Sequence, residues 1–161
     1  MYRKSDAVSL AKNINDKGIE RNTLTIPHPY KLKDAKQWLK GVLKDNSKKK
    51  PERIHFVIDI KNGVAGCVAL SKIIYDHKAS IGYWLARPYW GQGIMTSAVK
   101  VVTDFGFKKL GLKRIDARVF YYNKASKRVL EKSGYKFEGL LKKIGKKGNK
   151  YIDEYLFAKV K

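Results

Sequence analysis

Tyr83-Trp84-Leu85-Ala86-Arg87-Pro88-Tyr89-Trp90-Gly91-Gln92-Gly93-Ile94-Met95-Thr96 reads as a strand end, a tight turn and a helix start. Two glycines separated by one residue let the chain reverse, and apolar periodicity begins at Ile94. Such a turn presents consecutive backbone N–H groups beside a helix N-terminus, which carries about half a positive charge and unpaired donors. That arrangement suits a diphosphate. Glycines leave the backbone bare for the approach of phosphates, and Thr96 adds a hydroxyl. The pair alone also fits a strand–helix turn that needs glycine only for its geometry. The third glycine of a dinucleotide-binding fingerprint is missing, and no Gly-Lys-Ser/Thr closes a P-loop.

Downstream, a helix is expected from about Ile94 to Leu110, with Ala98, Val101, Val102 and Phe105 on one face and Gly111 closing it. A strand from Arg114 to Tyr121 follows, then a helix from Ala125 to Ser133 closed by Gly134. Tyr135–Ile144 and Tyr151–Val160 read as strands joined by a glycine- and lysine-rich loop, Gly145–Lys150. Upstream, Ser80–Leu85, Val64–Ile74 and His55–Ile60 form an antiparallel meander, with Asn62-Gly63 as a hairpin signal. Before Pro51 the chain is helical. Ser5 is expected to cap a first helix carrying Val8, Leu10, Ala11 and Ile14, a second ends near Arg21, and a third covers about Lys33–Asp45. A meander feeding a strand–helix–strand crossover gives a mixed, mostly antiparallel sheet with helices on both faces, an α/β (α+β) fold. The length of 161 residues fits a single domain, 1–161.

Composition narrows the class. No window approaches the ~18 apolar residues of a membrane span, and no apolar segment follows the basic start, so a cytoplasmic location without membrane contact is expected. The single cysteine, Cys67, excludes an intrachain disulfide and lies in an apolar run, as a small buried residue would. No metal-ligand spacing is present. Lys and Arg number 36 against 14 acids, a net charge of +22. That field attracts phosphate, nucleic acid or acidic protein; it equally suits a solvated lysine-rich surface.

Ile81-Gly82-Tyr83-Trp84-Leu85 and Pro88-Tyr89-Trp90-Gly91-Gln92-Gly93-Ile94-Met95-Thr96-Ser97-Ala98 together resemble the acetyl-CoA-binding motif of the GNAT superfamily, and more narrowly its RimJ/RimL-type branch. The resemblance continues through Asn123-Lys124-Ala125-Ser126, Val129-Leu130-Glu131-Lys132-Ser133-Gly134-Tyr135 and Phe137-Glu138-Gly139. It implies an N-acetyltransferase that binds acetyl-CoA through Trp84, Leu85, Ala86, Gly91, Gln92, Gly93, Ile94, Met95, Thr96, Asn123 and Ser126. The family often has Gln or Arg three residues before the first motif glycine. Pro88 stands there, with Arg87 one place off, and binding is expected to survive because the pyrophosphate contacts are mostly backbone amides. Met1-Tyr2-Arg3 matches only the stub of the family's first strand, which implies an unusual edge strand.

The implied chemistry is direct attack of a primary amine on a thioester. It needs a neutral amine, a stabilised oxyanion and a proton for the leaving thiolate. In the family a bulge before the glycine turn aims a backbone N–H at the thioester oxygen, which places Leu85 there. The tyrosine that many members use as acid is matched by Leu130, so Ser126 is the implied substitute. Asp116, His77 and Glu138 are the candidate bases. Tyr30, Trp38, Tyr83 and Trp84 are candidates to line an acceptor pocket, with Tyr83 and Trp84 on opposite strand faces. The acceptor implied is the N-terminus of a protein, including a ribosomal one, or a small amine such as an amino acid, polyamine or antibiotic. A basic module docking on RNA or the ribosome, through Lys142, Lys143, Lys146, Lys147 and Lys150, is the alternative. The protein is expected as a monomer or homodimer.

Overall fold

The computed structural model describes residues 2–60 and 63–161. Helices α1 (Ala7–Ile14), α2 (Lys17–Arg21) and α3 (Leu32–Asn46) precede strands β1 (Arg53–Ile60), β2 (Gly63–Ile74) and β3 (Lys78–Leu85). Then come α4 (Ile94–Lys109), β4 (Arg114–Phe120), α5 (Lys124–Lys132), β5 (Lys136–Lys147) and β6 (Lys150–Val160). The six strands form one sheet in the order β1-β2-β3-β4-β6-β5. Only β3 and β4 run parallel; every other neighbouring pair is antiparallel. The mixed α/β architecture anticipated from the sequence is therefore present, with helices on both faces.

One face of the sheet is covered by α1 and α3. Ala7, Leu10 and Ile14 pack with Ala35, Leu39 and Val42 against Val64, Cys67 and Trp84. The other face carries α4 and α5, whose Met95, Val99, Val102, Phe107 and Leu130 meet Val68, Leu70, Ile81, Ile115 and Phe157. The buried stripes are the positions three and four apart, and they shift two expectations. Val8 and Val101 are 67% and 68% exposed, because the stripes run through 7, 10, 14 and 95, 99, 102, 106 instead. Ser5 does not cap α1. It lies in a short 3₁₀ turn, Lys4–Asp6, where the Asp6 carboxylate accepts the Arg3 N–H at 2.7 Å.

At the sheet edge, Ile60 pairs with Gly63, so β1 and β2 stay paired to the hairpin end; Asn62 of the expected turn lies outside the described residues. The last hairpin is tighter than the sequence implied. β5 runs on to Lys147 and β6 begins at Lys150, so most of the expected loop is strand. Among the described residues no strand precedes α1; Tyr2 is instead buried, its hydroxyl donating to Gly66 O at 3.4 Å. No described helix is long and apolar enough to cross a membrane.

The open edge of β1 is capped at one residue, His55, by a side chain. Asn46, the last residue of α3, donates from Nδ2 to His55 O and accepts the His55 N–H at Oδ1, both at 3.0 Å. This satisfies edge groups that would otherwise template a further strand. The His55 ring lies edge-on to Trp38 at 5.4 Å, and its Nδ1 is 4.0 Å from Cys67 Sγ. A histidine therefore does stand beside the cysteine, which the sequence did not indicate, but the pair is inert. Burial pushes the thiol up to about 12 and the imidazole down to about 4, with Arg53 adding to the latter and Asp45 opposing it.

An unfolded histidine binds its proton near pH 6.5, the folded one near 4, so the unfolded state holds more protons between these values. Stability should thus fall as pH drops from about 6.5 to about 4 and level off below. Urea unfolding at about pH 7 and about pH 4.5 should show His55→Gln losing less stability than wild type, by about 2 kcal/mol. Equal losses in the two proteins would exclude His55 as the source.

Candidate active site

Parallel pairing between β3 and β4 lasts only from Lys78–Ser80 against Arg114–Asp116. Beyond it the strands diverge, β3 to Leu85 and β4 to Phe120, and a cleft of ≈ 720 Å³ opens between them. On its other side β3 keeps an unbroken register with β2 from Ser80 to Leu85. Ala86 N–H donates to Ala65 O at 2.7 Å. Alternation then turns the Leu85 N–H and C=O toward the cleft edge. The Leu85 carbonyl accepts the Trp90 indole N–H at 2.7 Å, which ties the glycine turn to the strand end. The bulge implied by the resemblance is not found in this register; the departure of β4 exposes Leu85 instead.

The turn itself begins with a 3₁₀ segment, Arg87–Tyr89, and carries Gly91 and Gly93 both at φ +76°. Left-handed φ favours glycine at both positions, and a Cβ on either would meet nothing within 4 Å. Gly93 begins α4 with no side-chain cap, so the first-turn N–H groups have no partner within the helix. Gly91, Gly93, Ile94, Met95 and Thr96 line the cleft. An open, positively polarised cradle of bare backbone fits a diphosphate. Met95 offers backbone only, since its side chain is buried. Gln92 lies outside the lining, with its amide nitrogen on Pro88 O at 3.0 Å; Ala86, fully buried, does too. Trp84 borders the cleft but packs into the core beneath α1 and α3.

The α5 side supplies hydroxyls and an amide. Asn123 caps α5, its Oδ1 accepting the Ser126 N–H at 3.0 Å, and it lines the cleft. Ser126 Oγ is 2.8 Å from the Tyr83 hydroxyl, and that hydroxyl donates to Ser126 O at 3.2 Å. Burial pushes the Tyr83 phenol above its ordinary range, with the Ser126 hydrogen bond opposing, so it stays protonated. Tyr83 and Trp84 do point to opposite faces, Tyr83 toward α5.

At the far end, Asp116 accepts the Ser80 hydroxyl at 2.7 Å where the strands part. A second carboxylate on the cleft lining, Glu154, was missed by sequence reasoning; it stands opposite Phe120, four residues along β4 from Asp116. Glu154 is 4% exposed, and among the described residues its one ionic partner is Arg118 at 3.8 Å. Burial raises its pKa and Arg118 partly offsets this. The carboxylate fits because Gly145 lacks a side chain: a Cβ there would lie 2.7 Å from Glu154 Oε1. A charged residue at an inward position of a strand was the available signal, but the face of β6 follows from its pairing with β4, Phe120 opposite Glu154. The other candidates lie elsewhere. Glu138 forms a surface pair with Arg114, His77 sits in the β2–β3 turn, and Tyr30 and Trp38 belong to the core beneath α1 and α3. Among the described residues no group of three His, Cys, Asp or Glu converges to hold a metal ion.

The acetyltransferase (GNAT) domain model matches residues 1–136. The probable N-acetyltransferase YjcK of Bacillus subtilis is 40% identical over 113 residues, 68% of this chain and 62% of that protein. A ribosomal-protein-serine acetyltransferase of Escherichia coli is 28% identical over 106 residues, 65% of this chain and 59% of that protein. The matches thus span less than two thirds of these relatives' own lengths. The solved ribosomal-protein-S5-alanine acetyltransferase of Vibrio fischeri superposes with a TM-score of 0.86 at 28% identity, over 99% of this chain and 90% of that one. By motif, topology and family match, the chain belongs to the GNAT acetyltransferase family.

Proposed function

We propose that this protein is an acetyl-CoA-dependent N-acetyltransferase of the cytoplasm that modifies the N-terminal amine of a protein, a ribosomal protein foremost. The observation that carries this reading is the β3–β4 divergence, which opens a single cleft with the glycine cradle at its mouth, Glu154 on the β6 wall opposite Phe120, and Asp116 at the apex where the strands part. The relatives named for ribosomal-protein acetylation support the acceptor class. A small-amine acceptor is the second reading. It draws on Asp116 and Glu154, two carboxylates that line the same cleft although the acids are scattered in sequence.

Each group has an assigned task. Backbone N–H groups from Gly91 to Thr96 hold the diphosphate of the coenzyme, and the Asn123 amide steadies its arm. Acetyl-CoA supplies the activated thioester. Glu154 takes the proton from the acceptor amine, because it is the cleft carboxylate with no hydrogen-bond donor among the described residues, whereas Asp116 is engaged by Ser80. Leu85 N–H stabilises the oxyanion as the C–N bond forms. As the C–S bond breaks, Ser126, backed by Tyr83, returns a proton to the thiolate.

Gly93→Asp places a carboxylate in the cradle and should abolish CoA binding by calorimetry; unchanged binding would move the site. Ser126→Ala should lower turnover by ~10²–10⁴-fold while binding acetyl-CoA nearly as well, and unaltered turnover with chemistry rate-limiting removes it from the mechanism. A base must be deprotonated, so wild-type kcat/KM should fall as pH drops through the raised pKa of Glu154. Glu154→Gln should lose ~10²–10⁴-fold of activity together with that acidic limb; a variant retaining the limb would return the role to Asp116.

A further inference from the structure

On the far side of α2 from the cleft lies a second groove, of ≈ 880 Å³, between α2, the β4–α5 turn and the β5–β6 hairpin. Its wall presents Lys17 and Arg21 from α2, Tyr121 and Tyr122 from the turn, and Lys150 and Tyr151 from β6. Among the described residues Glu20 is the one acid lining it, and it is already neutralised. Lys147 Nζ is 2.6 Å from Glu20 Oε1 and donates to the Glu20 and Thr23 carbonyls. The groove is left with an uncompensated positive wall.

The tyrosines are the second feature. Tyr121 is 54% and Tyr151 61% exposed, aromatic rings that no core requires at the surface. Tyr121 is held in place: it packs edge-on to Tyr122 at 5.2 Å, and Tyr122 donates to Arg21 O at 3.0 Å. Cations sit over the rings, Arg21 on Tyr122 and Lys146 on Tyr151, each 5.6 Å from the centroid. Carboxylates on an acidic peptide need only the cations. Exposed rings alternating with cations match a ligand that is both flat and anionic. Bases stack on the rings while the lysines and Arg21 neutralise phosphates.

We propose that this groove binds single-stranded RNA. It relocates the contact expected on the lysine-rich hairpin. Lys147 is consumed by Glu20, while Lys150 lines the groove with Lys17 and Arg21 from a different element, and Lys146 sits over the Tyr151 ring. The net charge of +22 raises the local concentration of polyanion, and the exposed rings give it a place to stop. The groove shares α2 with the cleft, so RNA held here lies across one short helix from the acceptor end.

Fluorescence anisotropy with the full chain and a labelled short single-stranded oligoribonucleotide tests this. Binding is expected at low ionic strength, weakening with salt at a log–log slope of about −0.7 per phosphate contact. Tyr121→Ala and Tyr151→Ala should each weaken binding by roughly 5- to 150-fold with the slope unchanged. Lys17→Gln and Lys150→Gln should each make the slope shallower by about 0.7; should a tyrosine variant melt early, these slopes decide. None of the four side chains lines the cleft, so thiol release with a peptide amine should persist in all of them. Loss of thiol release in wild type would sink the acetyltransferase reading and leave this one intact. No binding at low salt, binding indifferent to both tyrosine substitutions, or tighter binding of a poly-glutamate peptide overturns the proposal.

Discussion

Three residue pairs of parallel ladder, Lys78–Ser80 against Arg114–Asp116, are the hinge on which the molecule is organised. Because they hold, β3 and β4 belong to one sheet; because there are no more, the two strands leave backbone groups unpaired inside a folded domain. Unpaired buried backbone is unfavourable, and the fold meets that constraint in two ways. Trp90 closes the Leu85 carbonyl from the turn side. The remaining groups face a cleft open to solvent and to substrate. The same divergence makes room for Tyr83 and Ser126 to meet across it and for Asp116 to stand at its apex.

The acceptor side depends on contacts between elements far apart in the chain. α2 is only five residues long and would not persist alone. Asp16 caps it, accepting the Gly18 and Ile19 N–H groups at 2.7 and 3.1 Å, and Arg87 reaches Asp16 at 3.7 Å from the glycine-turn segment. Lys147 and Tyr122 grip its far end from β5 and the β4–α5 turn. A helix clasped from three directions can form a wall between two grooves without a large apolar face of its own.

Most elements were legible because each rests on a local signal: alternation in β1 to β3, Gly111 and Gly134 after α4 and α5, and paired glycines before α4. The cradle was legible for the same reason, since its function resides in backbone and in residues adjacent in sequence. Glu154 was not. Its role depends on which face of β6 it occupies, on Gly145 leaving space, and on Arg118 standing no nearer than 3.8 Å, none of which is local. Lys147 looked like a solvated loop lysine because its partner Glu20 lies 127 positions away. The stripes on α1 and α4 were misplaced by a residue, which a mixed apolar surface allows when the covering sheet is unknown.

Gly145 and Glu154 are also coupled in mutational terms. The glycine adopts no backbone conformation that excludes other residues; a Cβ there would press on the Glu154 carboxylate at 2.7 Å and touch Ile152 at 3.4 and 3.5 Å. A side chain at 145 therefore requires the flexible end of Glu154 to turn aside, which moves the carboxylate from its place on the cleft wall. The same change displaces no carboxylate once 154 has shortened. A lineage that keeps the carboxylate where it stands is thus held to glycine at 145, so the two sites vary as a coupled pair.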